Sequence, residues 1–279
     1  MYQAHFGFSR QPFSLTPSTE LFYGLAPHFE AIQTVLSALG MGEGVVKVTG
    51  EVGTGKTMVC RMLVNHLQDT TALIYLPNPV LSGADLRAAV AKELGLVVEN
   101  ESSVVDDIQH QLIRLHAEGK NVVAILDEAQ ALSDEALETL RLFGNLETED
   151  KKLLQIVLLG QPELDERLEA HHLRQFRQRI GFNATLRTLN LDETVAYIDN
   201  RVSKVGGDEA LFSLGQKKAI WHSSRGVPRL INQICHKALL LSYTEHGSAI
   251  DNQHLYSAMH DTYDVRKPKF KTPCLWGWS

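Results

Sequence analysis

The stretch VVKVTGEVGTGKT, residues 45–57, decides how the rest of the chain is read. A short apolar, β-branched run ends in Gly50-Glu-Val-Gly-Thr-Gly-Lys-Thr57, which fits G-x-x-x-x-G-K-[ST], and a helical pattern over 56–68 follows at once. Strand, glycine loop and helix in that order is the context in which this pattern carries chemistry rather than marking a glycine turn. Glycines let backbone N–H groups surround phosphate oxygens, and the following helix presents the positive end of its dipole. Gly50, Glu51, Val52, Gly53, Thr54, Gly55, Lys56, Thr57 and Met58 are thus expected to cradle the ligand. Lys56 would bring a point charge to the β- and γ-phosphates, and the Thr57 hydroxyl would ligate the magnesium that bridges them. The implied ligand is a nucleoside triphosphate with Mg2+.

Such a site needs a carboxylate at the end of a neighbouring strand, and VVAIL-Asp127-Glu128 supplies two in succession. Asp127 is expected to hold the magnesium, and Glu128 to polarise a water for in-line attack on the γ-phosphorus. An Asp-Glu pair closing an apolar run is also a common strand end or helix cap; the upstream glycine loop is what favours the functional reading. A guanine-reading N-K-x-D element is absent, so ATP is preferred to GTP.

Outward from these motifs, residues 30–189 alternate short apolar runs with amphipathic stretches, the signature of β-α units around a parallel sheet. Strands are expected at 45–49, 72–76, 122–127, 154–160 and about 182–186, with helices at 30–41, 56–68, 83–94, 104–118, 133–146 and 162–178. After Leu189 the strand signal stops. Residues 190–262 read as a small all-helical domain, with helices at about 191–205, 214–224, 227–244 and 251–262 and Asp192 as a cap for the first. Residues 1–29 form a proline-punctuated aromatic leader, with Phe6, Phe8, Phe13 and Phe22 among its rings, expected to pack on the ATPase core. Residues 263–279, with Arg266, Lys267, Lys269, Lys271, Trp276 and Trp278, are expected to be a mobile tail.

Composition narrows the function classes. With 44% hydrophobic and 22% charged residues the chain reads as an ordinary globular protein. A net charge of −6 gives no global basic field for nucleic acid. The longest apolar runs fall far short of a membrane span, and the N-terminus lacks the pattern of an export signal, so a cytoplasmic place is expected. Cys60, Cys235 and Cys274 have no metal-ligand spacing and read as reduced thiols. Nor do His110, His116, His171 and His172, which read as solvated helix positions.

In combination, HFGFSRQPFSLTPSTELFYG, GEVGTGKT, LDEAQ, RLFGNLET, LLGQPELDERL, LRQFRQRI and GVPRLIN resemble the AAA+ ATPases, and more closely their general secretion pathway A (ExeA-type) family. The likeness runs over about residues 1–262; unlike longer members, the chain ends soon after the helical domain, which puts direct cell-wall contact in doubt. The resemblance implies a five-stranded sheet of order 5-1-4-3-2, a helical lid, and ATP held where subunits of a homo-oligomer such as a hexamer meet. It also implies that Gln161 aligns the attacking water and that Asn78 restrains the catalytic glutamate; a turn-forming side chain at a strand end is the alternative for both. Arg229 resembles the lid arginine that reaches the γ-phosphate, although Gly-Val-Pro opening a helix has a structural account too. From the cluster Arg174, Arg177 and Arg179, it offers Arg179 as the finger reaching a neighbour's nucleotide, against a solvated helix end. Tyr23 and His28 would wall the adenine.

Two functions compete. One is an oligomeric ATPase coupled to assembly of a type IV (MSHA-like) pilus or secretion machinery, with an inner-membrane assembly protein as partner and little nucleic-acid binding. The other is a DNA-associated helper of the transposition or replication-initiator kind. A lesser expectation is weak attachment of the basic, Trp-bearing tail to an anionic membrane surface.

Overall fold

In the computed structural model, which describes residues 2–16, 18–67, 71–79, 81–97, 103–149 and 151–270, the chain divides into two compact units. The α/β unit comprises His28–Val52 and Lys56–Leu186; the helical unit joins the leader and Gly53–Gly55 to the chain from Arg187 onward. In chain order the elements are α1 (Tyr2–His5), α2 (Ala26–Gly40), β1 (Val45–Gly50), α3 (Lys56–Leu67), β2 (Thr71–Leu76), α4 (Gly83–Glu93), α5 (Val104–Ala117), β3 (Asn121–Leu126), α6 (Asp134–Phe143), β4 (Gln155–Gly160), α7 (Pro162–Leu168), α8 (Arg174–Arg177), β5 (Ile180–Leu186), α9 (Leu191–Ser203), α10 (Leu214–Ser224), α11 (Pro228–Thr244) and α12 (Asn252–His260).

The sheet is parallel throughout, in the order β2-β3-β4-β1-β5, which is the expected 5-1-4-3-2 counted from the other edge. Side chains alternate across a strand, so one strand feeds two cores. Ala124 and Leu126 join Leu86, Ile108, Leu140 and Phe143 on one face, whereas Val123 and Ile125 join Val35, Val48 and Leu63 on the other. Burial on both faces is why the inner strands read as unbroken apolar runs, while the edge strand β5 alternates buried and exposed residues. All C-terminal strand ends share one rim. There the glycine loop follows Gly50, Asp127 follows Leu126 and Gln161 follows Gly160. Val45 pairs with Ile180 at the opposite rim, which is where Arg179 sits.

Three expectations are corrected in the helical unit. The apolar side chains of the leader are seated in the helical unit, where Tyr2, Phe8, Phe13, Leu21 and Leu25 belong to the apolar core of α9–α12. Polar contacts fix it there, with the Arg201 guanidinium donating to the Pro12 carbonyl (3.1 Å) and the Ser9 amide to that of Val205 (2.9 Å). Asp192 is not the cap of α9: Asn190 accepts from the Glu193 amide, and Glu193 accepts in return from the Asn190 amide (both 2.8 Å). Of the tail expected to be mobile, residues 263–270 include a docked segment, where the Arg266 amide donates to the Ser223 carbonyl (2.9 Å) and the Ser223 hydroxyl donates to the Arg266 carbonyl (2.8 Å). Lys271, Cys274, Trp276 and Trp278 lie outside the described residues.

In the α/β unit, the single helix expected over 162–178 is broken into α7, a 3-10 turn at His171–Leu173 and α8. Its buried residues explain the break. Leu164 and Leu168 form one helical stripe, and Leu173 and Phe176 another. The step of five residues from 168 to 173 misses a helical face, so Ala170 leaves the helix with ψ 139° and resets the phase.

Candidate nucleotide site

The loop after β1 needs backbone conformations that only glycine adopts without strain: Gly53 has φ +82° and Gly55 φ +107°. Lys56 opens α3 at 5% exposure, and its Nζ donates to the carbonyls of Gly50 (2.6 Å) and Glu51 (3.0 Å). Burial pushes its ammonium below the ordinary lysine value, against the opposing pull of Glu128, Asp127, Glu51 and Glu163. Asp127 follows β3, its amide donating to the Leu76 carbonyl (3.0 Å), and is 2% exposed. Burial raises its carboxyl, while hydrogen bonds from the Thr57 hydroxyl and the Glu128 amide pull the other way.

This pairing tests the fit for magnesium and a polyphosphate. A buried carboxylate touching a hydroxyl is a hard-oxygen donor set of the kind Mg2+ takes. A buried ammonium beside glycines with left-handed backbone suits an anion. Each group's charge is disfavoured by burial and would be stabilised by the ligand it faces, so the residues fit. Among the described residues, no group of three or more His, Cys, Asp or Glu is placed to hold a metal ion.

Glu128 is a non-glycine residue in the left-handed region, φ +56° and ψ +39°, leading into a 3-10 turn at Ala129–Ala131. Such a backbone costs on the order of 1–2 kcal/mol. Its Oε2 accepts from the Gln130 side-chain amide and from Gln161 Nε2 (3.2 Å). Gln161 therefore lies against the carboxylate. Gln130 was not singled out from the sequence, although it stands in LDEAQ; convergence of residues i and i+2 in a tight turn has no signal in strand or helix period.

Asn78 is exposed, two residues past β2 on the same rim, and the hydrogen bonds described for the Glu128 carboxylate come from Gln130 and Gln161 instead. His28, on α2, is buried in the α/β unit, whereas Tyr23 packs on the apolar core of the helical unit. Arg229, exposed next to Pro228 at the start of α11, donates its amide to the Gly53 carbonyl (3.2 Å), and both belong to the helical unit. Of the cluster expected at a helix end, Arg174 and Arg177 are exposed on the short α8, and Arg179 reaches the Gly144 carbonyl (3.5 Å) at the far rim. His172 pairs with Asp134 (2.8 Å). Cys60 and Cys235 are fully buried, and burial pushes the Cys60 thiol up to about 12, so neither is poised as a nucleophile.

Residues 39–168 match the family described as an AAA domain. Over 269 residues, 95% of the chain, it is 38% identical to General secretion pathway protein A of Aeromonas hydrophila. Residues 39–168 thus read as an AAA domain, in a chain similar to the general secretion pathway A type. The chain spans 49% of that relative's length. Solved AAA ATPase folds bear out the architecture. The ORC2 protein of Aeropyrum pernix superposes with TM-score 0.68 at 17% identity, covering 92% of this chain and 72% of that one. Cdc6p of Pyrobaculum aerophilum gives 0.69 at 18%, over 88% and 69%, and the Thermotoga maritima RuvB branch migration motor 0.57 at 17%, over 84% and 67%. At these identities the likeness is one of fold. The matched residues 39–168 include the glycine loop, Asp127, Glu128 and Gln161.

Proposed function

We propose that this AAA ATPase couples ATP hydrolysis to assembly of secretion or type IV (MSHA-like) pilus machinery, working as a homo-oligomer at the cytoplasmic face of the inner membrane with a membrane assembly protein as partner. The likeness to General secretion pathway protein A supports the setting, and the Glu128 carboxylate, held by two side-chain amides next to Asp127, supports the chemistry. ATP would be held by Gly50–Met58, with Lys56 on its terminal phosphates, and Mg2+ by Thr57 and Asp127. When bound, the ion neutralises phosphate charge. Glu128 takes the proton of the attacking water, and Gln161 fixes the geometry of that pair. Asn78, Arg229 and, from a neighbouring subunit, Arg179 are assigned to restraint of the base, lid closure and transition-state charge; Tyr23 and His28 are assigned to the adenine.

The observation that carries this reading is the Glu128 carboxylate on the loop rim, aimed by two amides. Replacing Glu128 by Gln keeps the shape and removes the base, so ATP turnover should fall by about 100-fold or more while nucleotide affinity persists. Loss of affinity together with turnover, or turnover left intact, would overturn the assignment. The same variant held in ATP is suited to capturing the membrane partner. A DNA-associated role draws on the ORC, Cdc6 and RuvB folds alone. The net charge of −6 speaks against it, and a salt-dependent DNA titration separates the two readings.

A further inference from the structure

We propose that Gln130 is a positioning residue for hydrolysis: its side-chain amide holds the Glu128 carboxylate at one end and the start of α7 at the other, setting base and Gln161 as one unit. This rests on the reading of Glu128 as the base. The Gln130 Nε2 donates to Glu128 Oε2, while its Oε1 accepts from the Gln161 main-chain amide (3.0 Å). Gln161 closes the ring by donating its own Nε2 to the same Glu128 oxygen (3.2 Å). One side chain must donate at one end and accept at the other. Asn and Gln carry that pair of functions, as does a protonated acid, and Asn is one methylene shorter.

The surroundings are built to hold this amide. Arg167 donates to the Gln130 carbonyl (2.8 Å) and the Leu132 carbonyl (2.6 Å) and pairs with Asp134, which pins the turn that carries Gln130. Gly160 leaves the room: a Cβ there would meet Gln130 Oε1 at 3.4 Å and Leu164 Cδ2 at 2.8 Å. The left-handed backbone of Glu128 is a conformation that neighbours must impose, so bonds to its side chain, not a relaxed main chain, set where the carboxylate points. Both described bonds fall on Oε2.

Gln130→Met removes donor and acceptor at nearly constant length. Its kcat should fall about 10- to 100-fold with KM for ATP and Tm unchanged, since misplacing a catalytic group by about 1 Å costs on that order. Gln130→Glu provides a readout that a packing role would not move. At neutral pH two carboxylates face each other, whereas a protonated acid restores the donor–acceptor pair of the amide. Its kcat relative to wild type should therefore climb at least about fivefold between pH 8 and pH 5. Glu128→Gln is run alongside. If that control keeps turning over, the base assignment has failed whatever Gln130 does. If it is inactive while Gln130→Met stays within about twofold of wild type, or while the Gln130→Glu ratio is flat with pH, the positioning role is overturned. Should Gln130→Met lower Tm, the pH profile of Gln130→Glu decides alone.

Discussion

Asp127 and Lys56 occupy places that disfavour their own charges, and this is what readies them for a charged ligand. Burial raises the Asp127 carboxyl above its ordinary 3.8 and lowers the Lys56 ammonium below its ordinary 10.5. A folded state that keeps the Asp127 proton longer than the unfolded chain binds more protons above that ordinary value, so its stability falls as pH rises from about 4. Asp127→Asn lacks this dependence, while Lys56 is present in both proteins. In buffer free of nucleotide and magnesium, the variant should gain on wild type between pH 4 and pH 8, measured by urea unfolding, and yet lose Mg-ATP turnover. A stability difference that stays flat over that range would show that the buried carboxylate carries no such cost.

At the scale of elements, the turn that opens α11 is the most constrained. Gly226 has φ +74°, its carbonyl accepts from the Leu189 amide (2.9 Å), and a Cβ there would lie 1.9 Å from the Leu189 carbonyl oxygen. Gly95 has the same φ of +74° with nothing within 4 Å of an added Cβ. Gly95→Ala should therefore cost only the dihedral, about 1–2 kcal/mol, whereas Gly226→Ala should cost about 3 kcal/mol or more by chemical unfolding. Equal losses would mean that the backbone contact yields freely. GVPR was readable in the sequence as a helix start, but the Leu189 contact that makes its glycine obligatory joins positions far apart along the chain. The same divide runs through the whole reading. Strands, glycine loop and Asp127-Glu128 were legible because each is encoded within a few residues. The seat of the leader, the phase slip at Ala170 and the amide bridge of Gln130 were not, because each depends on which distant side chain completes a core or a turn.

At the scale of the whole molecule, the parallel sheet separates the glycine loop from Arg179. The glycine loop follows Gly50 at one rim, and Arg179 precedes Ile180, the partner of Val45, at the other. The six residues of β1 span about 17 Å at the usual strand rise, more than one arginine side chain can bridge. If Arg179 serves a γ-phosphate, that nucleotide must sit in a neighbouring subunit. Subunits carrying Arg179→Ala then keep a sound pocket but offer no finger, and subunits carrying Lys56→Ala keep the finger but lack the pocket charge. Each alone should be depressed in ATPase activity. Mixed in equal amounts and allowed to assemble, they place an intact pocket against an intact arginine at some junctions, so activity should rise clearly above either variant alone, with the gain vanishing on dilution below the assembly concentration. A mixture no more active than its components would assign Arg179 to the Gly144 carbonyl contact it makes within its own chain, and to nothing beyond it.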